Sequence, residues 1–205
     1  MSHDASAPPA DTARAPTLPE LIAPTIHALT NRIEQGASRV TTMSDDEAIH
    51  DFRVAIRRLR SVLATTRSIY EPKRIKALSK QLKRFADGCG ALRDEEVLSE
   101  TLARVVLDAT TREQLSRWLD GRKNLASDMK REAARLASST DLRACLLAIT
   151  RATVPEASRP TATPTLGSFC RKQLDAAAGR VESLLPAETS DGEGLHRLRI
   201  AFKRQ

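Results

Sequence analysis

The stretch IHDFRVAIRRLRSVL at residues 49–63 decides the fold. Drawn on a helical wheel at about 100° per residue, its large apolar side chains fall within one arc. These side chains are Ile49, Phe52, Ile56, Leu59 and Leu63. A helix with a single apolar arc buries that side and leaves the opposite side in water. The stretch therefore predicts an amphipathic helix packed on a core.

A row of basic residues runs along the flank of this apolar arc. His50, Arg53, Arg57 and Arg60 are spaced i, i+3, i+7 and i+10, and no acidic residue interrupts the row. Surface helices commonly mix acids with bases, because opposite charges at i,i+4 stabilise a helix and like charges destabilise it. Such a row indicates a polyanion that neutralises it. Arg58 falls elsewhere on the wheel, where we expect it to face solvent.

The next segment, IKALSKQLKRF at 75–85, has the same arrangement. Its apolar arc again has a basic flank, which predicts a second basic helix beside the first. The apolar residues are Ile75, Leu78, Leu82 and Phe85, and the basic residues are Lys76, Lys80 and Lys83.

A near-copy of the first stretch, LHRLRIAFKRQ, occupies residues 195–205. Both copies follow a helical pattern and an acidic loop, so the chain contains an internal duplication with a long period. We expect an inward-facing apolar arc and a basic row in this copy also, with Arg204 corresponding to Arg58. The arc is Leu195, Leu198 and Phe202, and the row is His196, Arg199 and Lys203.

Composition favours an all-α protein. Glycine is scarce at 8 of 205 residues, Ala, Leu, Arg, Glu and Lys dominate, and no stretch alternates β-branched residues. The apolar runs are too short to span a membrane, and the first residues lack a secretory signal pattern. The three cysteines, Cys89, Cys145 and Cys170, have no metal-ligand spacing. We expect free or buried thiols in a reducing cytoplasm.

The positive charge is concentrated in one segment. The chain carries a net charge of +7, whereas residues 49–93 contain 12 Lys or Arg and 3 acids, a local charge of +9. The remainder therefore sums to −2. A local excess indicates an anionic partner rather than general solubility.

The pattern divides the chain into four parts. We expect an Ala/Pro-rich disordered tail at 1–17, a first antiparallel helical bundle at 18–152, a Pro/Thr/Ser-rich linker at 153–164, and the start of a second bundle at 165–205.

Capping signals set the expected helix boundaries. Ser44 or a neighbouring Asp should cap the second helix, which runs to about Tyr70, and Gly88 or Gly90 should give the third a left-handed C-cap. The other expected helices cover about 18–37, 73–87, 94–109, 111–138, 141–150 and 165–185.

Phosphate is the natural ligand for a row of this kind. Guanidinium groups bind phosphate through two hydrogen bonds, and ammonium groups act as point charges beside it. A histidine can donate to a phosphate oxygen and gains charge when protonated. A lone histidine near a helix start is as readily explained by capping or packing. Because His50 and His196 recur at the same position in both copies, we favour a ligand role.

At these residues the sequence resembles the CHAD family, the conserved histidine α-helical domain proteins. The matching segments are IHDFRVAIRRLRSVL at 49–63, LKRFADGCGALRDEEVL at 82–98 with its Arg93–Asp94 pair, and LHRLRIAFKR at 195–204. The resemblance implies two pseudo-symmetric four-helix bundles whose basic residues line a cavity that binds inorganic polyphosphate. It implies a non-enzymatic binder with no cofactor and no metal. The residues that the resemblance implies for polyphosphate binding are His50, Arg53, Arg57, Arg60, Lys83, Arg93, His196, Arg199 and Lys203. The basic flank of the 75–85 helix adds Lys76 and Lys80, and the wheel ranks Arg58 and Arg204 lower.

One difference from the family concerns the second bundle. Family members continue with further helices after the second His-containing helix, whereas this sequence stops at Gln205. We therefore expect an incomplete second bundle with exposed apolar surface, which a homodimer is one way to cover.

Polyphosphate binding has three alternatives: nucleic-acid binding, catalysis and a scaffold role. A nucleic-acid binder is disfavoured because aromatic content is only 3% and Phe52, Phe85 and Phe202 lie on apolar arcs, although duplex binding through phosphates stays open. An enzyme would need a phosphate-binding glycine loop, an acidic cluster for Mg²⁺ or a nucleophile pair, which the sequence lacks. A helical scaffold with merely solvated basic rows is the remaining alternative. The expected location is the cytoplasm, with association to polyphosphate granules.

Overall fold

The computed structural model describes residues 15–43, 45, 47–154, 164–185 and 191–203. All regular secondary structure within these residues is helical, which confirms the all-α prediction. The helices are α1 (Leu18–Thr42), α2 (Ala48–Thr66), α3 (Pro72–Gly88), α4 (Gly90–Ala103), α5 (Ala109–Ala137), α6 (Thr140–Ala152), α7 (Leu166–Glu182) and α8 (Gly192–Lys203), with a short 3₁₀ helix at Arg67–Ile69 between α2 and α3.

Side-chain caps explain where several helices begin. Glu20 reaches back to accept from the Thr17 N–H at 2.6 Å at the start of α1. Asp108 accepts from the Thr111 N–H at 3.0 Å at the start of α5. The predicted cap Ser44 lies outside the described residues; Asp45 accepts from the Glu47 N–H at 3.1 Å just before α2.

Helices α1, α2, α3 and α6 surround the core, and the α4–α5 pair closes one end of it. The predicted apolar arc of α2 is fully buried, and the arc of α3 is buried except for the half-buried Phe85. The largest fully buried side chains are Phe52, Ile26, Ile33, Ile56, Leu59, Leu63, Ile75, Leu82, Leu142 and Ile149.

Helices α1 and α2 form an antiparallel pair that approaches most closely at one glycine. A Cβ atom on Gly36 would lie 3.0 Å from the Cα of Phe52 and 3.2 Å from its Cβ. Because these are atoms on or next to the backbone, they cannot move aside without shifting a helix. The absence of a side chain at Gly36 therefore sets the spacing of α1 and α2.

Arg39, in the last turn of α1, holds the connection between the two helices. Its Nε donates to Asp45 Oδ2 at 2.8 Å, and its Nη1 donates to Asp51 Oδ2 at 2.6 Å in the first turn of α2. The hydrogen bond to Asp45, which has the larger effect, and the hydrogen bond to Asp51 raise the pKa of Arg39 above its ordinary value. The guanidinium thus joins the end of α1, the loop and the start of α2.

The junction of α3 and α4 differs from the expectation. Gly88 and Gly90 have no positive φ, and the chain bends at Cys89 with φ −93° and ψ 6°. The predicted left-handed glycine cap is therefore wrong, and α4 begins at Gly90 rather than at Asp94. Gly88 instead leaves room for a neighbouring helix: a Cβ on Gly88 would lie 2.5 Å from Leu136 Cδ1 of α5.

Helices α4 and α5 are joined by an ion pair and an aromatic contact. Arg122 of α5 donates to both carboxylate oxygens of the buried Glu95 at 2.8 and 2.6 Å, which lowers the pKa of Glu95. The same guanidinium lies 4.7 Å from the ring centroid of Trp118. The α4–α5 helix pair extends from the core towards the connection that contains Val106, which is 95% exposed.

Helices α7 and α8 have each other as their main packing partner. Leu195 is 42% and Phe202 57% exposed, and Leu198 is half-buried. The inward orientation predicted for Leu195 and Phe202 is therefore wrong, because a single neighbouring helix does not enclose them. The expectation of exposed apolar surface in this region is confirmed.

The cysteines are free, as expected. Burial raises the pKa of Cys89 and of Cys145 to about 11, so both are inert thiols at neutral pH, whereas Cys170 is exposed. No described helix combines the length and apolarity that a membrane crossing needs.

We predict that Gly36→Ala destabilises the protein by about 1–2 kcal/mol, because overpacking at Phe52 outweighs the gain in helix propensity. Urea unfolding followed by circular dichroism measures the change. Gly121→Ala in α5 is the matched control, since its Cβ would have no neighbour within 4 Å. We expect the control to be neutral or stabilising by up to about 1 kcal/mol. A Gly36→Ala variant as stable as the parent would contradict the packing argument.

Candidate functional site

Helices α2 and α3 lie antiparallel, and one hydrogen bond fixes their register. Arg53 Nη1 donates to the Ala86 carbonyl near the end of α3. With about 1.5 Å of rise per residue, Arg57 then lies level with Leu82, next to Lys83 in the sequence, and Arg60 lies level with Ser79. The basic rows of the two helices therefore border one seam.

We call this surface the α2–α3 basic face; it consists of His50, Arg53, Arg57, Arg60, Lys76, Lys80 and Lys83. Four of its side chains are exposed and form no ion pair with an acid in the described part of the chain. These four are His50, Arg57, Lys76 and Lys80. Their hydrogen-bonding groups therefore point to water and can contact an anion.

Arg53 and Arg60 form the base of the face. Arg53 is half-buried and also lies close to α4, since its Nη1 would be 3.3 Å from a Cβ on Gly90. Arg60 is half-buried, and its Nε is fully buried without a hydrogen-bond acceptor. Arg53 is thus a structural tie between helices as well as a charge.

Two of the predicted binding residues already have acidic partners. Lys83 pairs with Asp87 one turn along α3, and both side chains are more than half exposed. An exposed pair of this kind is weak, so Lys83 can exchange partners. Arg93 is only 16% exposed and donates to Glu96 at 3.2 Å and to Glu100 at 3.3 Å.

The surroundings of Arg93 favour a structural role. Burial works against its charged form, but the hydrogen bond that Arg93 donates to Glu96 and the charge of Glu100 outweigh it, so the pKa of Arg93 is raised. The structure therefore engages Arg93 within α4 rather than leaving its donors for a ligand.

The second basic row lies on α8. His196 and Arg199 are exposed, whereas the side chain of Lys203 and all of Arg204 lie outside the described residues. Because α8 packs mainly on α7, the structure does not bring this row onto the α2–α3 basic face. A cavity shared by the two rows stays a prediction.

Arg58 points away from the α2–α3 basic face, as the wheel predicted. It is exposed and lines a groove between α1 and α2 on the other side of α2. Its different position gives a matched comparison for Arg57, the neighbouring residue of the same type.

Sequence reasoning missed Arg39. By pairing with Asp51, it neutralises the acid next to His50. A signal was available: Ala37-Ser38-Arg39-Val40 before the first acidic loop recurs as Ala178-Gly179-Arg180-Val181 before the second. In the second copy Arg197 stands where the first has Asp51.

Metal chemistry finds no support among the residues that the structure describes. They contain no group of three or more His, Cys, Asp or Glu side chains placed to hold a metal ion. The histidines of both rows have basic residues as their same-row neighbours.

Comparisons with known proteins agree with this architecture. A search of curated proteins found no significant match. The solved structure of the CHAD domain from the plant Ricinus communis superposes with a TM-score of 0.72 at 24% sequence identity. The alignment covers 92% of this chain and 63% of that one, so this chain spans less than two thirds of the relative's length. The model of the CHAD domain family matches residues 24–205. The chain therefore belongs to the CHAD domain family.

Proposed function

We propose that the chain binds inorganic polyphosphate, without catalysis, through the α2–α3 basic face. The observation that carries the proposal is a single exposed surface on which His50, Arg57, Lys76 and Lys80 have no acidic partner among the described residues. The CHAD resemblance of the sequence supplies the identity of the anion.

The chemistry of the face suits a chain of phosphates. Arg57 can bind a phosphate through two hydrogen bonds, and the lysines of α3 act as point charges beside it. His50, in the first turn of α2, lies at the positive end of the helix dipole, which also favours an anion. Bound phosphate would relieve the repulsion between these like charges, and that relief contributes to affinity.

The row on α8 extends the proposal to the second half of the chain. His196, Arg199 and Lys203 would contact the same polyphosphate chain or a second one, with Arg58 and Arg204 as minor contributors. A chain that binds polyphosphate in this way would associate with polyphosphate granules. A homodimer would cover the exposed Leu195 and Phe202.

Two alternative functions, nucleic-acid binding and catalysis, have less support. Phe52 is buried and Phe85 half-buried, so neither offers a stacking platform for bases beside the basic face. Phe202 is exposed, but it lies on α8. Catalysis lacks a metal-binding acidic cluster among the described residues.

We predict that Arg57→Glu weakens binding of polyphosphate of defined length at least about tenfold, a loss of about 1.4 kcal/mol. Arg58→Glu, with the same charge change on the other side of α2, should change the affinity less than threefold. Fluorescence anisotropy with end-labelled polyphosphate measures both affinities, and circular dichroism checks that helicity is unchanged.

The salt dependence of the same titration gives a second test. The affinity of the parent chain should fall with rising salt, with a log–log slope of about −2 to −3, as about −0.7 per neutralised phosphate implies for several contacts.

Equal losses of affinity in Arg57→Glu and Arg58→Glu would show that net charge alone decides binding. Equal competition by single-stranded DNA and by polyphosphate would show a general polyanion binder instead.

We predict that Arg53→Met lowers stability by about 1–2 kcal/mol and also weakens polyphosphate binding. The stability loss comes from the hydrogen bond to the Ala86 carbonyl. Arg57→Met should weaken binding while changing the free energy of unfolding by less than about 0.5 kcal/mol, because Arg57 is exposed and has no acidic partner among the described residues. Urea unfolding measures both. The assigned roles are wrong if the two variants are equally stable.

A further inference from the structure

A groove of about 270 Å³ lies between α1 and α2, on the side of α2 away from the α2–α3 basic face. Its walls hold three arginines, Arg32 and Arg39 of α1 and Arg58 of α2. Arg39 is paired with Asp45 and Asp51, and the polyphosphate proposal uses neither Arg32 nor Arg58 as a main contact. We call it the α1–α2 groove.

Small side chains make the floor of the groove. Gly36 has no side chain, and its closeness to the Phe52 backbone draws the helices together beneath the groove. Val54 and Ala55 complete the floor from α2. The floor is therefore apolar, which suits an aliphatic or backbone segment rather than a hydrated ion.

Arg32 and Arg58 lie at the same end of the groove. Arg32 precedes Gly36 by four residues, about 6 Å, and Arg58 follows Phe52 by six residues, about 9 Å. Because α1 and α2 are antiparallel and closest at Gly36 and Phe52, the two positions differ in level by about 3 Å. Both arginines are exposed, and neither pairs with an acid in the part of the chain that the structure describes. One carboxylate between them would satisfy both.

The other end of the groove carries an acceptor. Asp51 lines it, and one of its carboxylate oxygens accepts from Arg39 at 2.6 Å, which leaves the other oxygen for a ligand. An acceptor of this kind suits a ligand with N–H groups, which a chain of phosphates lacks. Gln35, also in the lining, can both donate and accept.

We propose that the α1–α2 groove binds an acidic peptide segment of a partner protein. A glutamate or aspartate side chain of the segment lies between Arg32 and Arg58, an apolar neighbour rests on Val54 and Ala55, and a backbone N–H donates to Asp51. This site is separate from the α2–α3 basic face and gives Arg58 a role of its own. It does not depend on polyphosphate being the ligand of the other face.

The test titrates the ¹⁵N-labelled full chain with an acetylated, amidated hexapeptide that has two glutamates flanking a leucine. Amide shifts should change around Arg32, Gln35 and Arg58 and not along the α2–α3 basic face. Arg58→Glu should weaken peptide binding at least tenfold, whereas Arg57→Glu should leave it within twofold. Asp51→Asn should weaken the peptide and leave polyphosphate affinity unchanged or slightly higher.

A peptide with glutamine in place of both glutamates is the charge control, and it should not bind. The proposal is overturned if the acidic peptide fails to bind the parent chain, or if it binds the Arg58→Glu and Arg32→Glu variants as tightly as the parent. It is also overturned if polyphosphate shifts the groove amides as strongly as those of the basic face, because the groove would then belong to one continuous polyanion surface.

Discussion

Burial of the apolar arc of α2 fixes the direction of every other side chain on that helix. Phe52, Ile56 and Leu59 are completely buried between α1 and α3. Each such side chain contributes about 1.5–3 kcal/mol, so the arc as a whole is worth on the order of 10 kcal/mol. Repulsion within the basic row costs only a few tenths of a kcal/mol per pair. The free energy of burial therefore outweighs the repulsion within the basic row, and α2 holds Arg57 on one side and Arg58 on the other.

The orientation in which α2 buries its apolar arc gives the helix two surfaces of different chemistry. Towards α3, basic side chains that have no acidic partner within the described ranges lie beside lysines, and a ligand has to bring the neutralising charge itself. Towards α1, Arg39 supplies a fixed counterion for Asp51, and the groove there mixes donors with an acceptor. One row of core contacts thus serves both surfaces, and a change that rotated or displaced α2 would disturb both.

The parts of this architecture that depend on local periodicity could be predicted from the sequence. The arcs of α2 and α3, the basic rows and the separate position of Arg58 follow from helical spacing alone. The bend at Cys89 does not follow from the helical pattern, because the space beside Gly88 is occupied by Leu136, which is distant in sequence. The pairing of Arg93 with Glu96 and Glu100 is consistent with their i+3 and i+7 spacing on one helix. Whether the row on α8 joins the first row depends on packing between the two halves, which the helical pattern does not encode.

The central claim is that the surface between α2 and α3 binds the phosphate chain. The most direct measurement is a chemical-shift map of the ¹⁵N-labelled chain titrated with polyphosphate of one defined length. The account predicts that the largest changes occur at His50, Arg57, Lys76 and Lys80, with little change at Arg32. Changes spread evenly over all basic residues, or concentrated away from α2 and α3, would contradict it.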